Sequence, residues 1–289
     1  MIDFALLRPQ TIDEAVALLA EYGEDARPLA GGTALALLLK QRLVQPAALV
    51  SLAGIPALKG IRVEADGLHI GAMTHHAAIE RLAGVEGVSP LLVETYRHVA
   101  TRRIRNQATV GGGLAHGDPA QDPPAALLAL DALVRIVGPA GERTIPVEAL
   151  FVDYYETDLQ PGEILTEVIV PPQPIGSAGA YLKFLPRTVD DYATVAVAVR
   201  LSLVGRELAN VRVAFIAAGS TPIRAQAVEE LLNGAVPQPG VLHEAGELAK
   251  TVVDPLDDLR GSAAYKREMA AVFLQRAVEA ALERARAQA

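Results

Sequence analysis

Two glycine clusters stand where an apolar run of the sequence gives way to a helix-forming one. The first lies in "PLAGGTALA" (28–36) and the second in "TVGGGLAHGD" (109–118). Main-chain N–H groups of a glycine turn point into one concavity, and a helix N-terminus adds partial positive charge there. A phosphate can approach closely because no Cβ intervenes. A single glycine cluster is typical of a tight turn or a helix cap, whereas two clusters at similar junctions favour a ligand with two phosphates.

The clusters match neither of the two commonest nucleotide-binding motifs. No Gly-Lys-Ser/Thr follows either of them, so a P-loop is excluded. "AGGTALA" lacks the G-x-G-x-x-G spacing, and "GGGLAH" begins that motif but fails at its last glycine. A phosphate site here must therefore belong to another class of fold.

Histidines near the second cluster offer weaker signals. His75 and His76 are adjacent and cannot share a helix face, which disfavours a metal site. His116 with Asp118 and Asp122 allows either a metal site or a loop beside a cofactor, and we favour the loop. No Ser-His-Asp arrangement and no pair of carboxylates stands out. The sequence thus predicts no catalytic side chain and no metal ligand in this chain.

Composition narrows the function classes. The chain has 289 residues, a net charge of -8 and no cysteine. The acidic balance argues against a nucleic-acid partner, although a basic run at residues 97–105 could dock a partner, compensate phosphates or form a solvated helix face. Without cysteine the chain can hold no disulfide, no thiol nucleophile and no iron–sulfur cluster. It shows neither a signal peptide nor a membrane span, so we expect a cytoplasmic protein.

Helix caps and turns predict a small α/β unit followed by β structure. Thr11 and Glu14 have the spacing of a capping box for a helix that ends at Gly23. We expect a helix over 34–41, a strand over 48–52 and a hairpin that turns at Asp66-Gly67. Thr74 is predicted to cap a helix that continues to Leu82. Further helices are expected over 90–100 and 122–131, and strands over 132–138 and 163–171.

The segment "PPQPIGSAG" (171–179) has the composition of a linker. Three β-rich runs follow it, over 180–186, 193–204 and 211–217. Helical patterns then occupy 224–232, 241–251 and 265–287. This order predicts a three-stranded sheet backed by helices.

Several motifs in order resemble one protein family. They are "RPLAGGT", "IRNQATVGGGLAHGDPAQDPPAALLALDA", "KFLPRTVDDYATVAVAV" and the tail "AAYKREMAAVFLQRAVEAAL". Together they are similar to the FAD-binding medium subunit of molybdenum hydroxylases, the xanthine dehydrogenase and aerobic carbon monoxide dehydrogenase family. The similarity spans nearly the whole chain.

The resemblance implies an α+β protein with a vanillyl-alcohol-oxidase/PCMH-type FAD-binding fold. Two α/β subdomains, residues 1–57 and 58–174, would hold FAD in an extended conformation between them. Residues 178–289 would form a C-terminal α+β domain of the carbon monoxide dehydrogenase flavoprotein type, with a three-stranded antiparallel sheet and helices.

The family motifs also imply cofactor contacts at particular residues. The first loop would wrap the pyrophosphate with Leu29, Ala30, Gly31, Gly32, Thr33 and Ala34. The second cluster would contribute Thr109, Gly111, Gly112 and Gly113. The remaining contacts would be Thr74, Asp122, Lys183, Arg187 and Tyr192. Lys183 and Arg187 fall on a K-x-x-x-R near the flavin ring, where positive charge would stabilise reduced, anionic flavin, and Tyr192 would pack near the isoalloxazine.

Two departures from the family pattern concern the loops. The usual "GGN" reads "GGG" here, so Gly113 cannot give an asparagine side-chain contact. Thr33 stands where the carbon monoxide branch often has histidine, as in many relatives that act on other substrates. Carbon monoxide, an aldehyde and an N-heterocycle therefore stay open as substrates of the complex.

By resemblance, this chain is the electron exit of a complex. Substrate oxidation takes place at a molybdenum cofactor on a large subunit, and electrons reach FAD through two [2Fe-2S] clusters of an iron–sulfur small subunit. FAD passes them to quinone, NAD or oxygen. The expected assembly is a dimer of heterotrimers, and the lack of cysteine excludes the branch whose flavin subunit carries a [4Fe-4S] cluster. The alternatives are a free-standing FAD-dependent oxidoreductase of UDP-sugar reductase type and a non-catalytic scaffold protein.

Overall fold

Three larger β-sheets organise the chain in the computed structural model, which describes residues 3–186, 188 and 191–288. The strands are β1 Ala5–Leu7, β2 Ala26–Leu29, β3 Ala48–Ser51, β4 Ile61–Glu64, β5 Gly67–Gly71, β6 Leu133–Gly138, β7 Gly141–Pro146, β8 Phe151–Asp153, β9 Glu156–Thr157, β10 Ile164–Val170, β11 Ala178–Phe184, β12 Val195–Val204, β13 Glu207–Ile216 and β14 Ile223–Arg224. The helices are α1 Ile12–Tyr22, α2 Leu35–Lys40, α3 His76–Ile79, α4 Pro90–Arg97, α5 Arg102–Arg105, α6 Val110–His116, α7 Pro123–Ala129, α8 Gln226–Leu232, α9 Pro239–Val252 and α10 Ala263–Gln288. Among the described residues, no helix is both long and apolar enough to cross a bilayer.

The first sheet is the predicted N-terminal α/β unit. β3 lies between β1 and β2 and runs parallel to both, with Ala48 opposite Ala5 and Ala26. α1 packs on it through Ala15 and Leu19, which are buried. The loop after β2 leads directly into α2, so the first glycine cluster joins a strand to a helix as the sequence predicts.

The N-cap of α1 is confirmed. The Thr11 Oγ1 accepts a hydrogen bond from the Glu14 N–H at 3.1 Å, and the Glu14 carboxylate accepts one from the Gln10 N–H at 2.7 Å. Thr11→Ala should lower the free energy of unfolding by about 1 kcal/mol because one helix N–H loses its partner, whereas Thr11→Ser should retain most of it. Urea unfolding followed by circular dichroism measures the difference. Equal stability of the alanine variant and the wild type would contradict the cap.

The second sheet has the order β4-β5-β10-β6-β7 and contains the predicted hairpin. β4 and β5 pair antiparallel across the turn Ala65-Asp66, with Ile61 opposite Ile70 and Glu64 opposite Gly67, so the turn begins one residue earlier than predicted. Gly67 has φ +140, and a Cβ there would lie 2.3 Å from the Val170 carbonyl oxygen. Only glycine therefore fits where the hairpin passes the end of β10.

The prediction that Thr74 caps a helix is wrong. The Thr74 Oγ1 donates to the Gly60 carbonyl at 3.0 Å, and α3 begins at His76 with the extended residue His75 as its N-cap. His75 forms a β-bridge with Thr109, which keeps this part of the chain extended. α3 is followed by a 3₁₀ turn, Glu80–Leu82, so the predicted helix ends as a tighter turn.

The third sheet has the order β11-β12-β13-β14 and is antiparallel throughout. It contains the three predicted strands, and the two residues of β14 add a short edge strand. Side chains alternate along β12, so Val197 belongs to the core with α10 while Ala196 and Ala198 belong to the core with α7. Because both faces are covered, β12 is a nearly continuous apolar run.

Ion pairs join α7 to this sheet at both ends of the helix. Just before α7, Asp122 pairs with Lys183 on β11. Just after it, the Asp131 carboxylate lies 3.0 Å from the Arg200 guanidinium, 3.0 Å from that of Arg212 and 3.2 Å from that of Arg224. The position of Asp122 is therefore set by the packing of α7 against the C-terminal sheet.

Candidate functional site

The two glycine clusters meet in space. A Cβ on Gly31 would lie 2.3 Å from the Gln107 carbonyl oxygen, and one on Gly112 would lie 3.0 Å from the Ala30 Cβ. The Gln107 side chain closes the contact by donating to the Gly31 carbonyl at 3.0 Å. The loop of residues 29–34 and the segment that leads into α6 therefore pack directly against each other.

The first loop presents main-chain donors. Gly32 has φ +72, a left-handed conformation that favours glycine, and it turns the chain from β2 into α2. Within the part of the chain that the structure describes, the N–H groups from Gly31 to Leu35 donate to no protein acceptor, whereas the next N–H, of Ala36, donates to the Gly32 carbonyl at 2.9 Å. These residues are half-buried. Consecutive unpaired donors on a partly buried loop are the arrangement that binds an anion.

The second cluster uses its N–H groups inside the protein. The glycines lie in the first turn of α6, where the Val110 N–H donates to the Thr74 carbonyl at 2.9 Å and the Gly111 N–H to the Ala72 carbonyl at 2.8 Å. Thr109 accepts the next two, from Gly112 at its Oγ1 and from Gly113 at its carbonyl. Cofactor contact at Thr109, Gly111, Gly112 and Gly113 stays a prediction, and the N–H groups of the three glycines are already engaged.

Close packing explains the glycines of α6. A Cβ on Gly111 would lie 2.5 Å from the Ala72 Cβ, a distance that real structures do not show. The first turn of α6 therefore lies directly on the segment that follows β5. Here the glycines bring main chains together, which is a different use of glycine from the donor loop at residues 31–35.

Asp122, Tyr181 and Lys183 form a buried polar cluster. The Lys183 ammonium lies 2.9 Å from the Asp122 carboxylate and 3.1 Å from the His98 carbonyl oxygen. The Tyr181 hydroxyl donates to Asp122. Burial raises the pKa of Asp122, and the Lys183 ammonium and the Tyr181 hydroxyl oppose that rise. Burial also raises the pKa of Tyr181.

The pairing changes what Lys183 contributes. Its charge is balanced by Asp122, so the two residues together present a dipole rather than a net positive charge. Tyr181 was absent from the sequence-based site, although it stands two residues before Lys183 and so shares its face of β11. The alternation of side chains along β11 is the signal that could have placed Tyr181 beside Lys183.

Tyr192 is 46% exposed, and the Arg260 guanidinium stands over its ring, 5.6 Å from the centroid. Burial and the Asp118 carboxylate raise the pKa of Tyr192. Arg260 also pairs with Asp191 at 3.1 Å. Arg187, the second cation of the K-x-x-x-R pattern, lies outside the described residues.

The histidines have structural partners. The His75 Nδ1 lies 3.2 Å from the Gln107 carbonyl oxygen, and the His116 ring packs on Tyr155 with centroids 5.2 Å apart. Among the residues that the structure describes, His116, Asp118 and Asp122 do not converge to ligating distances. Glu64, Asp66 and His69 do converge on the hairpin, where His69 is also held by Glu167.

His76 predicts an acid-sensitive fold. It is buried on Tyr96, with its Nε2 3.1 Å from the Thr109 carbonyl oxygen, and burial lowers its pKa from 6.5 to about 4. The unfolded chain takes up this proton as the pH falls below the unperturbed value, whereas the folded chain does not. The contribution of His76 to the free energy of unfolding should therefore fall by about 2 kcal/mol between pH 7.5 and pH 5.

Urea unfolding across this pH range measures the effect. His76→Gln, which keeps an N–H donor, should flatten the dependence. The exposed residue His243 offers the control, since His243→Gln should leave the dependence unchanged. An equal slope in His76→Gln and the wild type would show that His76 does not cause the acid sensitivity.

Comparison with known proteins gives the family. The family described as FAD binding domain in molybdopterin dehydrogenase matches residues 2–173, and the CO dehydrogenase flavoprotein C-terminal domain matches residues 180–281. The carbon monoxide dehydrogenase medium chain of Afipia carboxidovorans is 39% identical over 279 residues, which cover 96% of each chain.

Solved structures share the complete fold. Carbon monoxide dehydrogenase from Hydrogenophaga pseudoflava superimposes with a TM-score of 0.95 at 38% identity, over 98% of this chain and 99% of that one. Quinoline 2-oxidoreductase from Pseudomonas putida 86 gives a TM-score of 0.92 at 32% identity, over 98% of both chains. The predicted α+β architecture, with an FAD-binding fold and a C-terminal antiparallel sheet with helices, is confirmed. The chain therefore belongs to the family of FAD-binding subunits of molybdopterin dehydrogenases, with a carbon monoxide dehydrogenase flavoprotein C-terminal domain.

Proposed function

We propose that this chain is the FAD-carrying electron-transfer subunit of a molybdenum hydroxylase complex. Substrate is oxidised at a molybdenum cofactor on a large subunit, and electrons arrive through two [2Fe-2S] clusters on a small subunit. Membership of the FAD-binding family supports this role. The sequence contains no cysteine, which agrees with clusters held by another chain.

The donor loop is the observation that carries the proposal. The N–H groups of residues 31–35 are unpaired among the described residues, and a Cβ at Gly31 would press on the Gln107 main chain. These features fit a pyrophosphate, which needs several donors and close approach to the main chain. In this proposal the loop of residues 29–34 holds the pyrophosphate, and the segment that leads into α6 supports the loop by packing tightly against it.

The protein contributes binding and electrostatics rather than covalent chemistry. Bound FAD supplies the redox chemistry, since a flavin can accept electrons singly and release them to another acceptor. The Asp122–Lys183 pair, buried and held by Tyr181, provides a fixed dipole. Fixed dipoles need no reorganisation when the charge on a bound group changes. We assign no nucleophile and no general base to this chain.

The finer features of the complex belong to the same proposal. We expect a dimer of heterotrimers in the cytoplasm, with quinone, NAD or oxygen as the acceptor. The relatives are named for carbon monoxide and for quinoline, so a related flavin subunit serves complexes with different substrates. Specificity then resides on the large subunit. We also propose domain limits at 1–57, 58–174 and 178–289, and the two matched family regions support the boundary between the second and third.

An absorption spectrum of the purified protein tests the function. The chain is prepared alone and again after co-expression with its genomic neighbours, and the released cofactor is identified by chromatography. We expect stoichiometric FAD, with iron–sulfur absorbance added only when partners co-purify. A colourless protein in both preparations would refute the proposal, and substrate turnover by the chain alone would instead indicate a free-standing flavin oxidoreductase.

A further inference from the structure

Three side chains with metal-ligating atoms meet on the β4–β5 hairpin. Glu64 ends β4, Asp66 lies in the turn and His69 lies on β5. The His69 Nε2 lies 2.9 Å from the Asp66 Oδ1 and 3.9 Å from the Glu64 Oε2, and the ligand atoms of all three residues lie within 4.8 Å of one another. Ligand atoms at about 2.0–2.2 Å from a tetrahedral zinc ion are roughly 3.4 Å apart. Small rotations of the two carboxylates therefore bring all three ligand atoms to one ion.

Glu167 on β10 fixes the orientation of the His69 ring. Its Oε2 lies 3.0 Å from the His69 Nδ1 and 2.9 Å from the Arg135 guanidinium, and its Oε1 accepts a hydrogen bond from Arg62 at 2.6 Å. An acceptor at this position holds a proton on Nδ1 and directs the Nε2 lone pair at the hairpin carboxylates. A carboxylate behind the imidazole is the usual partner of a metal-bound histidine.

The position of the His69 Nε2 calls for a cation. The His69 side chain is 4% exposed, and the partners of its Nε2 among the described residues are the carboxylates of Asp66 and Glu64. A lone pair on Nε2 repels these oxygens, so either a proton or a metal ion must lie between them. Burial lowers the pKa of His69, but its hydrogen bonds to Glu167 and Asp66 raise the pKa by more, so the proton is the competing occupant.

The surrounding charges favour a divalent ion over a single proton. The guanidinium groups of Arg62 and Arg135 pair with three carboxylates, those of Glu64, Glu142 and Glu167, and Asp66 is the fourth carboxylate of the cluster. With a neutral imidazole, two negative charges stay uncompensated; a proton on His69 balances one of them, whereas a divalent cation balances both. The Glu64 and Asp66 side chains are 46% and 70% exposed, so an ion can enter from solvent between them.

We propose that Glu64, Asp66 and His69 bind one zinc ion, with a water molecule as the fourth ligand. One imidazole nitrogen with two carboxylate oxygens suits zinc, whereas calcium and magnesium prefer sites made of oxygen atoms alone. The ion links β4, the turn and β5, and its role is to fix the hairpin at the edge of the second sheet. The site needs no FAD, so this inference is independent of the proposed function.

Calorimetric titration with zinc chloride tests the inference, on tag-free protein that has first been treated with a chelator. At about pH 7.5 we expect one zinc ion per chain. Asp66→Asn and Glu64→Gln should each weaken zinc binding at least about tenfold, since each removes the charge of one ligand. Glu86→Gln changes an exposed carboxylate outside the cluster and should bind zinc as the wild type does. Calcium chloride should give no comparable binding.

Cobalt provides a readout of the ligands themselves. Cobalt(II) bound in a four-coordinate site absorbs visible light, and we expect this absorption in the wild type but not in His69→Gln. Wild-type protein that binds no zinc would overturn the proposal and leave His69 as an imidazolium between Asp66 and Glu167. Equal zinc affinity in the wild type and in folded Asp66→Asn and Glu64→Gln variants would also refute it, because the ion would then lie elsewhere. Circular dichroism of each variant shows that the fold is intact.

Discussion

Valine in place of Gly31 is expected to lower the affinity of the chain for FAD at least about 100-fold, a loss of about 2.7 kcal/mol. The Cβ would lie 2.3 Å from the carbonyl oxygen of Gln107 and 3.0 Å from the Cα of Ala108. Both are main-chain atoms of the segment before α6, so they cannot move aside as a flexible side chain would. The donor loop must shift instead, and its N–H groups then no longer face one point.

Flavin fluorescence titration measures this loss of affinity. The matched control is Gly240→Val in α9, where a Cβ would have no described residue within 4 Å. Gln107→Ala provides a milder change, because it removes only the side-chain hydrogen bond to the Gly31 carbonyl and should weaken binding severalfold. Wild-type affinity in a folded Gly31→Val protein would show that the loop does not hold the pyrophosphate.

Methionine in place of Lys183 is expected to lower the free energy of unfolding by about 3–5 kcal/mol at neutral pH. The side chains of Lys183 and Asp122 are 2% and 6% exposed, so the change leaves a buried carboxylate without its cation. Burial already raises the pKa of Asp122 in the intact pair, and loss of the ammonium removes an opposing effect. The variant should therefore fold with Asp122 protonated.

The pH dependence of the Lys183→Met variant follows from this protonation. A folded state that binds a proton more tightly than the unfolded chain gains stability as the pH falls. Urea unfolding should thus show that Lys183→Met regains part of the lost free energy of unfolding as the pH is lowered from neutral to about 5. Asp122→Asn/Lys183→Met should be more stable than Lys183→Met at neutral pH because no buried charge remains. If Lys183→Met lowers the free energy of unfolding by less than about 1 kcal/mol, the Asp122–Lys183 pair behaves as a solvent-exposed ion pair and the prediction is wrong.

Much of the fold could be predicted because its signals are local. The Thr11 cap, the Asp66-Gly67 hairpin and the glycine turn after β2 each depend on residues within a few positions of one another. The alternation in β11 and β12 likewise identifies the C-terminal sheet. Thr74 was misjudged because a threonine that can cap a helix is equally able to donate to a distant carbonyl, here that of Gly60.

The residue types indicate what kind of site this is, whereas the packing of the sheets sets how each residue is used. The glycines show that the main chain is approached closely, but the sequence does not distinguish the two clusters. Packing pairs the first N–H groups of α6 with the carbonyls of Ala72 and Thr74, whereas those of residues 31–35 have no acceptor among the residues that the structure describes. The positive charge of Lys183 follows from its residue type, but the sequence does not show that Asp122 pairs with it. Partners so far apart in sequence meet only when the sheets pack, and burial then sets the energy of each contact.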